Sequence, residues 1–240
     1  FYTIDGYYIG SQRKRIPTPK GFNFGQSYLA YVGDNSQFGV ASPLVGHRYR
    51  FEAGQYFGIV NLQSLLGDFR NYLRIAPLTF ATRAMYMGRF GKDAESGVLT
   101  PFYIGNPYFI RGYEAVDFAN ESNDKVTIND LLGSRILVAN AELRFPFTGP
   151  ERLSAIRSRY FFSELNLFTD GGIAWGSAKS PATDGKGGLI PRESKFVMST
   201  GVSMRINLFG YLVIEPYYAV PWQNGGFKNA NFGLNFIPGW

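Results

Sequence analysis

Lys195-Phe196-Val197-Met198-Ser199-Thr200-Gly201-Val202-Ser203-Met204-Arg205-Ile206-Asn207-Leu208-Phe209 has a period of two. Ser199, Gly201, Ser203, Arg205 and Asn207 hold one phase; Thr200, Val202, Met204, Ile206 and Leu208 hold the other. Successive side chains of a strand point to opposite faces, so the segment is a strand with one polar and one apolar face. A soluble sandwich would bury the apolar face and would not oppose it with so many glycines. Polar-in, apolar-out is the pattern of a barrel that meets lipid on its outside.

The pattern recurs in both directions. In 134–147, Asn140, Glu142 and Arg144 alternate with Ala141, Leu143 and Phe145. In 160–176, Glu164, Asn166 and Asp170 alternate with Leu165, Leu167 and Ile173, and in 231–236 Asn231, Gly233 and Asn235 alternate with Phe232, Leu234 and Phe236. Further strands are expected at 27–35, 46–57, 62–74, 79–90 and 211–221, with a weaker candidate at 2–10. Together they make nine or ten strands of the length that crosses a bilayer when tilted. A closed single-chain barrel has an even number, which would make 2–10 a true strand. Apart from the short 58–61 connection, short and long connections alternate. That asymmetry puts the long loops outside and the C-terminus on the periplasmic side. Tyr211, Tyr217, Tyr218, Trp222 and Trp240 fall near strand ends, where amphipathic rings suit the head-group level.

Composition agrees. Among 240 residues, 22 Phe and 16 Tyr raise the aromatic share to 17%, while charged residues make up only 18%. Soluble domains carry roughly 25% charged residues. Mean hydropathy is nevertheless −0.12, as alternating strands produce when one face meets lipid and the other water. No stretch approaches the ~18 apolar residues of a membrane-crossing helix, so crossing falls to strands. The net charge of +6 fits ordinary surface charge, or contact with anionic lipid head groups and lipopolysaccharide. Arg13-Lys14-Arg15 reads as a solvated loop, and no aromatic-basic interleaving points to nucleic acid.

Catalytic readings find little support. The chain has no cysteine and a single histidine, His47, so cysteine chemistry and a multi-histidine metal site are unsupported. No G-x-S-x-G or S-x-x-K supplies a serine nucleophile, and Gly185-Lys186-Gly187-Gly188 lacks the strand–helix context of a phosphate loop. His47 is expected to be structural or interfacial.

The segment 91–133 interrupts the strand series. Loops this long are usually functional or disordered, and this one carries Phe102, Tyr103, Tyr108 and then Phe109-Ile110-Arg111-Gly112-Tyr113. It is expected to fold into the lumen.

Ile110-Arg111-Gly112-Tyr113 resembles the [V/I]-R-G-[F/Y] loop tip of the BamA/TamA superfamily of outer-membrane proteins, the bacterial surface antigen barrels. Phe168-Thr169-Asp170-Gly171-Gly172 fits that family's F-x-D-x-G strand motif, and Asn140-Ala141-Glu142-Leu143-Arg144-Phe145-Pro146 resembles its preceding strand. Five strands follow the loop, as in the family. Asn231 to Trp240, with Phe232, Leu234, Phe236 and the terminal Trp240, resembles a C-terminal sorting signal of outer-membrane barrels. Pro238-Gly239 departs from that pattern and should end the strand early. The resemblance covers about 27–240, most firmly 98–240.

The resemblance implies that the loop plugs the lumen and that Arg111 meets acidic residues of the wall, with Glu142, Phe168, Asp170 and Gly172 as candidates. Physical chemistry agrees: an arginine carried into an occluded lumen needs carboxylates, and both Glu142 and Asp170 lie on the polar phase. The sequence does not rank the two. The expected chain is thus an all-β antiparallel barrel over 1–240, without POTRA domains. It is either the C-terminal part of a sixteen-stranded barrel or a small barrel. The resemblance further implies a Gram-negative-type outer membrane and a non-enzymatic role in protein insertion or translocation, without cofactor. Expected partners are outer-membrane lipid and lipopolysaccharide, client outer-membrane or secreted proteins, and other assembly subunits or a second copy. The alternative role is an anchor or scaffold within a larger assembly.

Overall fold

A computed structural model describes residues 2–4, 7–10, 21, 23–96, 98–114, 126–176, 182–183, 189–190, 194–210, 212–223, 226–227 and 230–238. Arg13, Lys14 and Arg15, Gly185 to Gly188, Tyr211 and Trp240 lie outside the described residues. The principal strands pair antiparallel throughout, with one short parallel pairing of Ile156–Arg157 against the end of β5; the nine are β1 Phe24–Asp34, β2 Pro43–Gly58, β3 Leu62–Ile75, β4 Leu78–Phe90, β5 Arg135–Gly149, β6 Phe162–Trp175, β7 Phe196–Leu208, β8 Leu212–Gln223 and β9 Asn231–Pro238. Each pairs with its neighbours in sequence, giving one antiparallel meander from β1 to β9. No helix in the described residues is long and apolar enough to cross a membrane.

Alternation decides what each face meets. On the outer face Leu137, Leu143, Leu165, Leu167, Val202, Phe232, Leu234 and Phe236 are exposed. On the inner face Glu142, Arg144, Asp170, Arg205 and Glu215 are buried. The inversion seen in 195–209 therefore extends across the sheet. In water such an apolar surface would need a partner; in a bilayer it faces lipid. His47 lies on the outer face, stacked with Tyr49 and Phe69 at 6.2 and 6.4 Å between ring centres. These rings form an aromatic cluster with Tyr31 and Phe51.

The sheet is curled. Ser42 lies one residue before β2, four strand spacings from β6, about 19 Å away in a flat sheet. Its hydroxyl nevertheless donates to the Glu164 carboxylate of β6 at 2.8 Å. Arg144 of β5 donates to the same hydroxyl at 3.1 Å, and Asn207 of β7 to the Val40 carbonyl at 3.1 Å. The β1–β2 connection thus tucks beneath the lumen, burying Val40, Ala41, Ser42 and Leu44.

Two expectations change. Residues 2–10 do not add a strand to the sheet: Tyr2–Ile4 and Tyr7–Gly10 pair with each other. Tyr217 is not an interfacial aromatic. It shares the phase of Glu215 and Ala219, so its ring is buried inside, whereas Tyr218 and Trp222 are exposed outside. The described part of β9 ends at Pro238, which pairs opposite Leu212; Gly239 and Trp240 lie outside the described residues. Among the described residues the sheet is open: β1 pairs in the main sheet only with β2, and β9 only with β8.

Candidate functional site

The connection from β4 to β5 re-enters the curl of the sheet. Phe102–Tyr103 pairs with Leu132–Gly133, closing the base of the loop. The buried Asp130 carboxylate accepts from both the backbone N–H and the hydroxyl of Thr127 at 2.9 Å, fixing the returning limb. Nearer the tip, Asn106 organises a tight turn. Its side chain accepts from Tyr108 N–H at 2.9 Å, and its carbonyl from Phe109 and Ile110 at 2.8 and 3.0 Å. This turn delivers Ile110, Arg111, Gly112 and Tyr113 to the inner wall, where the side chains of Ile110, Arg111 and Tyr113 are almost wholly buried.

Arg111 is 4% exposed and surrounded by carboxylates from three strands. Nε and Nη2 bind the two oxygens of Asp170 on β6 at 2.8 and 2.9 Å. Nη2 also donates to Glu142 on β5 at 2.8 Å, and Nη1 to Glu215 on β8 at 3.0 Å. Only the planar guanidinium fork meets three carboxylates in these directions. The cation lies 3.6 Å from the centre of the Phe168 ring. Asp170 thus takes the two-point contact, and Glu142 and Glu215 take one each.

The strand motif acquires a physical meaning. Phe168, Asp170 and Gly172 share the inward phase of β6 as platform, carboxylate and landing site. Phe168 pairs opposite Gly201, where a Cβ would come within 2.7 Å of its ring. Gly172 is where the loop lands: a Cβ there would lie 2.9 Å from Ile110 Cδ1 and 2.7 Å from the Leu137 carbonyl oxygen. Gly112 has φ +92°, and a Cβ on it would lie 2.8 Å from that of Ala219. Left-handed backbone and close approach both require glycine there. Its carbonyl accepts from Asn231 of β9 at 2.7 Å. Tyr113 places its hydroxyl 2.9 Å from both the Met198 and Trp222 carbonyls, which share its single proton. Burial pushes that hydroxyl up to about 12, so it stays a neutral donor. Burial also raises Tyr103, which donates to the Tyr113 carbonyl at 3.0 Å. Glu114 accepts from the Tyr217 hydroxyl, tying the outgoing limb to β8.

Around Arg111 a wider network forms that the motifs did not point to. Glu142 also accepts from Arg144 at 2.7 Å and Arg205 at 2.8 Å. Glu215 accepts from the Ser203 hydroxyl at 2.7 Å and lies 3.3 Å from Arg205. Asn140 donates both to Asp170 and to the Phe109 carbonyl at 2.8 Å. Three guanidinium groups, Arg111, Arg144 and Arg205, thus share four carboxylates, Glu142, Glu164, Asp170 and Glu215. Apart from the loop residue Arg111, every one lies on the inward phase of its strand. That phase was the signal for Glu215, but convergence of separate strands on one point is set by the curl.

The C-terminal residues divide by phase. Phe232, Leu234 and Phe236 point outward, while Asn231 reaches the loop. A cavity of about 140 Å³ remains inside, lined in part by Arg70, Arg83, Tyr108, Arg111, Glu142 and Arg205. No curated protein matches the chain. The Omp85 superfamily domain matches residues 35–239, from the β1–β2 connection through β9. With that match covering the curled sheet, the loop and its charged seat, the chain belongs to the Omp85 superfamily of outer-membrane β-barrel proteins.

Proposed function

We propose that this barrel assists the insertion or translocation of proteins at the outer membrane, as a member of the BamA/TamA type, with its C-terminus on the periplasmic side. The observation that carries the reading is Arg111, a loop cation seated on carboxylates of β5, β6 and β8. Replacing a buried ion cluster by apolar packing is often neutral or stabilising, so such a cluster is better suited to fixing one arrangement among several. The cavity beside the loop, about 140 Å³, is too small for a polypeptide, which supports a reading in which passage requires the loop to leave its seat. The free edges of β1 and β9 among the described residues offer a client strand backbone groups to pair with by β-augmentation. Orientation follows from connection length, since β9 ends on the side of the tight 76–77 and 209–211 turns.

The role is conformational rather than catalytic, without cofactor. His47 lies among aromatic rings on the face opposite the lumen, which supports that reading. The apolar outer face suits outer-membrane lipid, with lipopolysaccharide, client proteins, and assembly subunits or a second copy as further partners; nucleic acid is not among them. A second reading, a membrane anchor or scaffold, is favoured by how fully the loop is tied to β5, β6, β8 and β9. The test is the rate at which an unfolded outer-membrane barrel folds into liposomes containing the chain. Acceleration by the parent and its loss in Arg111→Gln support insertion. No acceleration over empty liposomes would leave the anchor.

A further inference from the structure

A second group of charges holds the loop from the neighbouring strands β3 and β4, in the same cross-strand row as Asn140 and Asp170. Arg70 of β3 and Arg83 of β4 face each other across the ladder on the inner surface. Like charges directly opposite destabilise a sheet unless something neutralises them. Asp68, two residues from Arg70, does so. Nε and Nη2 of both arginines bind its two oxygens, Arg70 at 3.2 and 2.7 Å and Arg83 at 3.1 and 2.9 Å.

Both arginines have donors left, and these go to one loop residue. Arg83 Nη1 donates to the Tyr108 carbonyl at 2.8 Å, and its guanidinium lies 4.4 Å from the centre of the Tyr108 ring. Arg70 Nη2 donates to the Tyr108 hydroxyl at 3.0 Å. Tyr108 stands three residues before Arg111, within the turn organised by Asn106. The two attachments are therefore joined by a short, hydrogen-bonded piece of chain, and the cavity is lined by residues of both. Asn140, Asn231 and Tyr217 and the Tyr113 hydroxyl fasten residues 109–114; the hold at Tyr108 extends the fastening to the incoming limb before Arg111.

We propose that Asp68, Arg70 and Arg83 form a second clamp that positions Arg111 by holding Tyr108, so that the loop is fastened along the inner surface at β3–β4 as well as at β5, β6 and β8. The inference rests on the reading of the loop as the moving part of a transport barrel. Asp68, Arg70 and Arg83 are positioning residues: they act on the Arg111 seat through the loop. Releasing the loop then requires disengaging both attachments.

The chain contains no cysteine, so Ile110→Cys introduces a single thiol at a position that is buried while the loop is seated. Its rate of modification by a membrane-impermeant maleimide, in liposomes, reports how often the tip leaves Gly172. Arg83→Gln and Asp68→Asn should each raise that rate about tenfold or more, the factor expected from losing a charge-assisted hydrogen bond. Combined, they should raise it no further than the stronger single change, because both act through one clamp. Tyr108→Phe, which loses only the acceptor of Arg70, should raise the rate less than Arg83→Gln, and Tyr108→Ala, which loses the ring as well, should raise it more than Tyr108→Phe. Should the charge variants fail to fold, Tyr108→Ala carries the test alone. Parent-rate modification in the folded variants overturns the clamp, whatever insertion does. A raised rate with undiminished insertion of a client barrel leaves the clamp standing and removes the loop from the transport role.

Discussion

Replacing Arg111 by lysine keeps its charge and by glutamine removes it, and the geometry assigns different costs to each. Arg111 donates four side-chain hydrogen bonds to three carboxylates and sits over the Phe168 ring, 3.6 Å from its centre. An ammonium offers three donors from one point, so it cannot keep the two-point contact with Asp170 while reaching Glu142 and Glu215. Losing a charge-assisted bond costs ~1.5–3 kcal/mol, so Arg111→Lys should destabilise the barrel by about 2–3 kcal/mol. Arg111→Gln leaves buried carboxylates without their shared cation and should cost about 3–5 kcal/mol. Adding Asp170→Asn to Arg111→Gln removes one orphaned charge, so the double variant should be more stable than the single. Urea unfolding in detergent or lipid, followed by tryptophan emission, measures all four proteins. A lysine variant as stable as the parent, or a double variant weaker than Arg111→Gln, would refute the reasoning.

Other expectations follow from single contacts. Gly112→Ala meets a left-handed backbone and the Ala219 methyl at 2.8 Å, and should cost about 1–3 kcal/mol in the same unfolding assay. Tyr113→Phe removes the one proton shared by the Met198 and Trp222 carbonyls and should cost about 1 kcal/mol. Ser42→Ala takes away the hydroxyl joining the β1–β2 connection to Glu164 and Arg144. In planar bilayers it should show more frequent ion-conducting openings than the parent, with little change in stability.

The strands were legible because alternation is local: each of 195–209, 134–147 and 160–176 declares its two faces without reference to the rest of the chain. The Omp85 match and the antiparallel meander of the nine principal strands agree with that reading. Phase also told which residues face inward, including Glu142, Asp170 and Arg205. It could not tell which inward residues meet, because that depends on how far the sheet curls and where the loop lands. Glu215 was invisible for that reason: nothing near it in sequence marks it as a third partner of Arg111. Asp68, Arg70 and Arg83 sit on a strand pair read only as strands, and Tyr108 reads as one aromatic among several. Tyr217 misled because a tyrosine near a strand end suits a head-group belt as well as a lumen, and only its phase relative to Glu215 separates the two. Residues 2–10 misled in the other direction, since a plausible strand pattern does not say which strand it pairs with.

The central claim, a lumen loop held by its arginine on the barrel wall, comes down to one internuclear distance. In lipid bilayers, solid-state NMR can measure the dipolar coupling between the Arg111 guanidinium nitrogens and the Asp170 carboxylate carbon, assigned by its loss in Asp170→Asn. With Nε 2.8 Å from Oδ2, the account predicts a strong coupling and guanidinium protons that exchange slowly with water. A guanidinium in rapid exchange with solvent and uncoupled to Asp170 would contradict it.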